Sequence, residues 1–445
     1  MNYGTASILQ RNEAALRTVA SSARISTQQG TALEIYEKSG DRQKDLNLVN
    51  KVLASGHKSV IEHQTLSIAF DNVSVLVEQF VIEFRLASFT VKSRRYVDFS
   101  DAGYVVPEGM PPEAEALYRT RTEELFALYD QLLKLGIPKE DARFVLPYGF
   151  RSNFFATMNA RELIHMVIAM LKGQGSAFPE LRALGLQLKE QFDEMYPGVL
   201  DAELLHAPEC LEEGDAGPIL AGSARDPEVR IVSAPSNPVE VLGTAMRFGR
   251  RFSGFDADNM RRLLLDARPR ELEALNYSFR IDNVSLACVT HFTRHRMLSL
   301  MLRHELSALA EGNYVLPESI GGNPQALRLY CGAFEAQTAA AERAQELGAD
   351  GSSLSYFAMA GHTTSILLTM NARELLHFAK LRCCARAQWE IRGIARAMIE
   401  LLNETDAQPV FCGYGPTCAV TGRCPEGKMS CGHPVRIENG SWSRK

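Results

Sequence analysis

Thr157-Met-Asn-Ala-Arg-Glu-Leu163 recurs letter for letter as Thr369-Met-Asn-Ala-Arg-Glu-Leu375, a shift of 369 − 157 = 212. Asp71-Asn-Val-Ser74 recurs as Asp282-Asn-Val-Ser285, a shift of 211, and Tyr104-Val-Val-Pro-Glu108 as Tyr314-Val-Leu-Pro-Glu318, a shift of 210. Three matches in one order at nearly one offset mean a duplicated domain of roughly 210 residues, far too long a period for a solenoid. The expected organisation is residues 1–215 as copy one, 225–410 as copy two, and a Cys-rich tail over 411–445. Between the copies, from about Tyr196 to Asn237, the composition shifts to Gly, Pro, Ala, Glu and Asp, which is linker chemistry.

The periodicities mix strands with helices, helices in the majority, so the expected class is α+β: in each copy a small sheet with long helices. Apolar residues from Ile8 and Leu9 through Ala20 recur at helical spacing. Asp45–Ala54, Val73–Arg85, Pro111–Leu135 and Gln388–Asn403 also read as helices, and Thr65–Phe70 as a strand. Asn159 and Asn371 each precede a helix with Glu three residues on, the capping-box arrangement. At 445 residues, 46% of them apolar, the chain can bury two cores. A net charge of −5 argues against wholesale nucleic-acid binding. No apolar run is long enough for a membrane span, and the N-terminus lacks the pattern of a signal peptide. Nine cysteines, two of them adjacent at Cys383 and Cys384, point to a reducing cytoplasm rather than a disulfide scaffold.

Three clusters could carry chemistry. Arg294-His295-Arg296 is the densest cationic stretch, suited to a phosphate or carboxylate and equally to a solvated helix end. Asn371-Ala372-Arg373 stands at a helix start, where free amides favour an anion, with His377 and Arg382 further along; Asn371 also reads as a plain structural cap. Ser88–Tyr96 combines hydroxyls with a basic run. In the tail, Cys412, Cys418, Cys424 and Cys431 could hold zinc, although the paired Cys-x2–4-Cys spacing is absent and free thiols are the alternative.

Taken as a set, these stretches resemble the flavin-dependent thymidylate synthases, the ThyX family. The resemblance rests on Arg294-His295-Arg296, on Ser93-x-Arg95-Tyr96, and on Asn371-Ala372-Arg373 followed by Arg382 and Ala387-Gln388-Trp389-Glu390. Gly56-His57-x-Ser59-x-x-Glu62-His63 is similar to the family's flavin-contacting stretch; the corresponding part of copy two, Ala267–Ala274, lacks both histidines. The losses are sorted. Copy one has Glu83-Phe84-Arg85 in place of Arg-His-Arg, and Met170 in place of Arg382, yet keeps Ser93, Arg95, Tyr96 and Arg143. Copy two keeps Arg-His-Arg and Arg382, but has His304, Leu306 and Ser307 in place of the Ser-x-Arg-Tyr set, and Ser355 in place of Arg143.

The resemblance implies a methyltransferase of nucleotide biosynthesis: dUMP converted to dTMP, methylene-tetrahydrofolate as carbon donor, FAD as hydride carrier and NADPH as reductant. It implies Arg382 as the catalytic residue. Ser93, Arg95, Tyr96, Arg143, His291 and Arg294 are implied as substrate contacts. His57, Ser59, Glu62, Arg294, His295, Arg296, Asn371, Arg373 and His377 are implied as flavin contacts. Because family sites form between subunits, the sorted losses imply composite copy-one/copy-two sites in a cytoplasmic homodimer that rebuilds a pseudo-tetramer. Val91, where the family has Glu, motivates a related flavin and folate enzyme acting on another pyrimidine nucleotide. A non-catalytic nucleotide-binding paralogue is the reading from a different class.

Overall fold

The computed structural model describes residues 3–9, 13–208, 222–302, 312–438 and 441–444. Copy one has strand β1 (Thr5–Ile8), then helices over Glu13–Ile25, Ala32–Lys38 and Arg42–Ala54, strand β2 (Thr65–Ser74), helix α1 (Val75–Ile82) and strand β3 (Ala87–Val91). Helix α2 (Pro112–Lys134), strand β4 (Arg151–Asn159) and helices α3 (Ala160–Leu171) and α4 (Pro179–Asp193) follow. Copy two repeats the order with β5 (Glu228–Ser233), β6 (Asn276–Ser285), α5 (Leu286–Phe292), β7 (Ser299–Leu302), α6 (Pro324–Glu346), β8 (Thr363–Asn371), α7 (Ala372–Arg382) and α8 (Trp389–Asn403). Both sheets are antiparallel and share one strand order, β1-β2-β4-β3 and β5-β6-β8-β7.

Each repeated stretch has a mechanical reason. Asn72 and Asn283 have φ of 56° and 58°, a left-handed conformation that Asn tolerates better than bulkier residues. Both sit at a β-bulge, between Phe70 and Val73 and between Ile281 and Val284. The bulge turns the strand into the next helix, which Ser74 caps through Val77 N at 3.2 Å and Ser285 through Cys288 N at 3.0 Å. Glu180 on α4 and Glu390 on α8 lock that corner, accepting from Ser74 N at 2.9 Å and from Ser285 N at 2.7 Å. The Glu of Ala-Gln-Trp-Glu is therefore a strut. Its counterpart Glu180, 210 residues earlier, sits in a sequence too altered to be matched by eye.

Several boundaries differ from the sequence reading. Ile8 ends a strand paired with β2, with Ala6 and Ile8 buried, and a helix covers Glu13–Ile25. The strand expected over Thr65–Phe70 continues through the bulge to Ser74, because two-residue alternation breaks at a bulge while pairing resumes beyond it. Neither expected capping box closes. Asn159 and Asn371 do cap, but Glu162 Oε1 accepts from Leu86 N at 3.3 Å and Glu374 Oε1 from His295 at 2.8 Å.

The chain forms two compact units: Met1–Ile219 with Ser319–Ala360, and Leu220–Glu318 with Gly361–Lys445. In the first, β4 and α3 bury Phe154, Met158, Leu163 and Val167, and α6, contributed by the second copy, packs on α2. In the second, Tyr277, Phe279, Ile281, Leu368, Phe378 and Met398 belong to one core. The tail lies on that second unit: Tyr414 Oη donates to Ala372 O at 3.1 Å, Thr417 Oγ1 to Lys380 O at 3.1 Å, and Val435–Glu438 and Ser441–Arg444 form a hairpin. Among the described residues no helix is long and apolar enough to cross a membrane.

Candidate functional site

In the second unit the repeated stretch Thr369–Leu375 is the foundation of a polar chain. Asn371 Oδ1 receives Glu374 N at 2.9 Å, fixing the first turn of α7. Glu374, on that turn, reaches Nδ1 of His295 at 2.8 Å, and Arg382, on the last turn, donates Nε–H to Nε2 of His295 at 3.0 Å. An imidazole nitrogen that accepts from a guanidinium carries no proton, so Nδ1–H donates to Glu374 and His295 is the neutral Nδ1–H tautomer. Burial holds its pKa below the ordinary histidine range, the Glu374 bond opposes that shift, and the Arg382 charge adds to it. Arg382 also donates to His291 O at 3.1 Å. Both of these acceptors are neutral. Burial, and secondly the charge of Arg294, push the Arg382 pKa down to about 10, so the group is still a cation near pH 7. A partly buried guanidinium with neutral partners and a like-charged neighbour can receive an anion.

The stretch Arg294-His295-Arg296 is thus no solvated helix end as a whole: α5 stops at Phe292, His295 is buried, and Arg294 and Arg296 are exposed. Beside it lies a cavity of about 410 Å³ whose lining includes Glu273, Met297, Asn371, Arg373, His377 and Lys380. Arg373 is ion-paired with Glu273, as Arg161 is with Glu62 in copy one at 2.6 Å. Sequence reading found Glu62 and missed Glu273, although it lies 211 residues on. Along α7 the cavity presents Arg373 in the first turn, His377 mid-helix and Lys380 in the last turn, donors suited to a phosphate-bearing ligand, beside the carboxylates of Asp266, Glu273 and Glu374. His295, Glu374 and His377 are the one group among the described residues whose potential metal-binding atoms all lie within 4.8 Å. The Arg382 bond to His295 Nε2 and the adjacent guanidinium charge argue against a cation there.

In the first unit the expected nucleotide set converges on one glutamate. Arg95 Nε pairs with Glu140 Oε1 at 2.6 Å, Arg143 Nε donates to Glu140 O at 3.0 Å, and Arg95 N donates to Ser93 Oγ at 3.3 Å. Arg143 is buried, and the exposed Tyr96 ring lies 5.7 Å from the Arg95 guanidinium. Glu140 was not anticipated. Its copy-two counterpart is Ser352, lost together with the Arg143 counterpart Ser355, and that paired loss is the signal that identifies it. The neighbouring Arg94 forms a buried ion pair with Glu78 that anchors the loop after β3. His57, Ser59 and Glu62 are exposed, His57 at the N-cap position and the other two on the 3-10 helix Lys58–His63 before β2. At the Arg294 position Glu83 is pushed up to about 7 by burial, and Phe84 replaces the histidine, so copy one has no cationic relay there. His304, Leu306 and Ser307 lie outside the described residues. Among the described residues no three tail thiols bring their sulfurs within 4.8 Å of one another: Cys412 Sγ faces Pro409 O, Cys418 on the helix Thr417–Thr421 and Cys431 both lie near Cys384, Cys431 Sγ accepts from His433 N, and Cys424 is exposed.

Two buried histidines predict how the second unit responds to acid. His362, fully enclosed at the start of β8, is held down to about 3 by burial, and His295 is lowered as well. Both folded values lie below the ordinary 6.5, so the unfolded chain binds more protons in that window. Stability is full above pH 6.5 and is lost as pH falls toward 3. For His362 alone the loss at pH 5 is roughly 2 kcal/mol. Denaturant unfolding at pH 7 and pH 5 measures it, and His362→Gln should flatten the dependence. An unchanged slope would count against the assignment.

Comparison with known proteins agrees with the duplication. The family model described as thymidylate synthase complementing protein matches residues 7–198 and again 238–406. The chain is 34% identical to the flavin-dependent thymidylate synthase of Geobacter sulfurreducens over 170 residues, which span 38% of this chain and 72% of that protein. It is 30% identical to the enzyme of the same description from Nitratidesulfovibrio vulgaris over 241 residues, 47% of this chain and 97% of the relative. Among solved structures, a UMP/dUMP methylase PolB from Streptomyces cacaoi bound with 5-Br dUMP aligns over 45% of this chain and 95% of that one, at 23% identity and a TM-score of 0.39. The alignments to the two curated relatives each span less than half of this chain, as a two-domain tandem requires. The chain belongs to the thymidylate synthase complementing protein family, that of the flavin-dependent thymidylate synthases, and carries the family domain twice.

Proposed function

We propose that the protein methylates dUMP at C5, with methylene-tetrahydrofolate as carbon donor and FAD, reduced by NADPH, as hydride carrier. The observation that carries this reading is the partly buried Arg382 guanidinium, which has two neutral acceptors and a second arginine beside it. In the reaction the C5–H bond of uracil is replaced by C5–CH3, and the C5 proton leaves to solvent. Bound flavin supplies the hydride that brings the one-carbon unit to the methyl level. The chain's own residues hold and polarise. Arg382 faces the negative charge that develops on the uracil ring when N3 loses its proton. Glu374 and His295 keep the guanidinium aimed. Ser93, Arg95 and Arg143 bind phosphate and sugar, with Tyr96, His291 and Arg294 as further nucleotide contacts. Arg373, His377 and Asn371 fit the diphosphate-bearing part of a flavin, joined by His295, Arg296 and, from copy one, His57, Ser59 and Glu62.

The sorting of residues between copies supports composite sites, copy one holding the nucleotide and copy two holding flavin and activating the base. A cytoplasmic homodimer then rebuilds the family's four-domain assembly with two live sites. Tritium release from C5-tritiated dUMP with NADPH and methylene-tetrahydrofolate tests the reaction, and yellow colour in the purified protein tests the flavin. Yellow protein that releases no tritium favours another pyrimidine nucleotide, the reading Val91 motivates. Colourless protein that ignores added FAD overturns the enzyme assignment.

A further inference from the structure

Within the first unit, α2 of copy one packs against α6 of copy two, and the loops that follow them pair around a pseudo-two-fold axis. Tyr148 N donates to Ala358 O at 2.6 Å, and Ala360 N donates to Leu146 O at 2.9 Å. Since 146 + 212 = 358 and 148 + 212 = 360, these two bonds are each other's image. Gly149 sits at this contact: a Cβ there would strike the Tyr118 hydroxyl of its own copy and come within 3.3 Å of Tyr356 Cδ1 from copy two. So far the contact would serve two identical copies equally well.

The side chains break that equivalence. Tyr356 Oη donates to Glu180 Oε2 at 2.8 Å, in a place where Glu180 is wholly buried and its other oxygen takes Ser74 N. The copy-one residue at the Tyr356 position is Phe144, which has no hydroxyl. Arg121 on α2 reaches Ala333 O at 3.5 Å, and Ala333 is its own counterpart, 121 + 212. Gln337 Nε2 donates to Phe357 O at 2.7 Å, and the counterpart of Gln337 is Leu125. Docking a second copy one by the same two-fold would set Arg121 against Arg121. It would also give Glu180 a phenyl ring in place of a hydroxyl, and leave the carbonyl matching Phe357 O facing leucine. Like charges in a half-buried contact and a buried carboxylate short of a donor are the elements that exclude wrong partners.

We propose that this face of copy one is a heterotypic recognition surface, built to accept the 319–360 segment of copy two and to reject a second copy one, with Tyr356–Glu180 and Arg121 as its specificity elements. A duplicated domain otherwise retains a self-complementary face on each half and can pair at random. The asymmetry makes only the unlike pairing give Glu180 a hydroxyl donor and Phe357 O an amide donor.

The test uses the full chain. Tyr356→Phe lowers Tm by several degrees, and in a Glu180→Gln background its effect shrinks to less than half, because the two act as one pair. Native mass spectrometry of freshly purified protein gives one assembly for the wild type. Arg121→Ala combined with Tyr356→Phe adds higher-mass species from like-with-like docking. Equal Tm shifts in both backgrounds, or a double variant with the wild-type mass distribution, overturn the proposal. Neither readout depends on catalysis, so its failure is separable from failure of the proposed reaction.

Discussion

Replacing Arg382 by alanine lowers kcat about 100- to 1,000-fold, the range for loss of a donor that faces developing charge. The size follows from its setting. In water a guanidinium next to a growing anion contributes little, whereas burial strengthens the same interaction several-fold. Burial has a cost of its own, visible in the pKa pushed down to about 10. Since its hydrogen bonds go to His295 Nε2 and His291 O, no carboxylate bond must be broken before it can act. Arg382→Lys keeps the charge but replaces a planar fork by a point, so it recovers part of the rate and not all. The check is a kcat and KM determination beside a Tm measurement. A kcat loss with Tm near the wild type supports direct action on the reacting base. A variant retaining more than a tenth of wild-type kcat would falsify the role.

The repeat made the fold legible because its surviving letters are those the backbone cannot exchange. Asn72 and Asn283 hold left-handed φ, Ser74 and Ser285 cap the helix after the bulge, and Asn159 and Asn371 cap the helix after the last strand. Spacing alone could not tell which conserved letter had changed employer. Glu162 and Glu374 look identical in sequence, yet only Glu374 meets a histidine, because Phe84 stands where His295 does. Glu140 escaped notice because its value lies in contacts from residues 45 positions earlier and 3 later, which no local pattern carries. Met170 reads as an idle remnant of the Arg382 position. It is wholly buried core, so a neutral test there must preserve volume, as Met170→Leu does. The two compact units also draw their boundary differently from the repeat, since 319–360 packs with copy one through contacts remote in sequence.

Arg95→Ala decides whether the two copies form one kind of site or two. If each copy ran its own reaction, disabling copy one would leave the other working, and about half the activity would survive. With composite sites every live site needs Arg95 from copy one and Arg382 from copy two, so kcat/KM falls about 100-fold, mainly through KM for the nucleotide. Arg95 is partly exposed, but the Nε and Oε1 atoms of its ion pair with Glu140 are buried, so a Tm measurement beside the kinetics separates loss of binding from loss of folding. Two controls fix the interpretation. Ser355→Ala alters the copy-two counterpart of Arg143, a buried hydroxyl bonded to Gly351 O, and should leave kcat/KM within about twofold, since a single hydroxyl-to-carbonyl bond contributes only about 1 kcal/mol, and that to stability. The double variant Arg95→Ala, Arg382→Ala should fall short of the product of the single effects, because groups serving one site do not act independently. Half-activity from Arg95→Ala, or a Ser355→Ala loss matching that of Arg143→Ala, would mean that copy two binds nucleotide by itself and that the sorted losses have another cause.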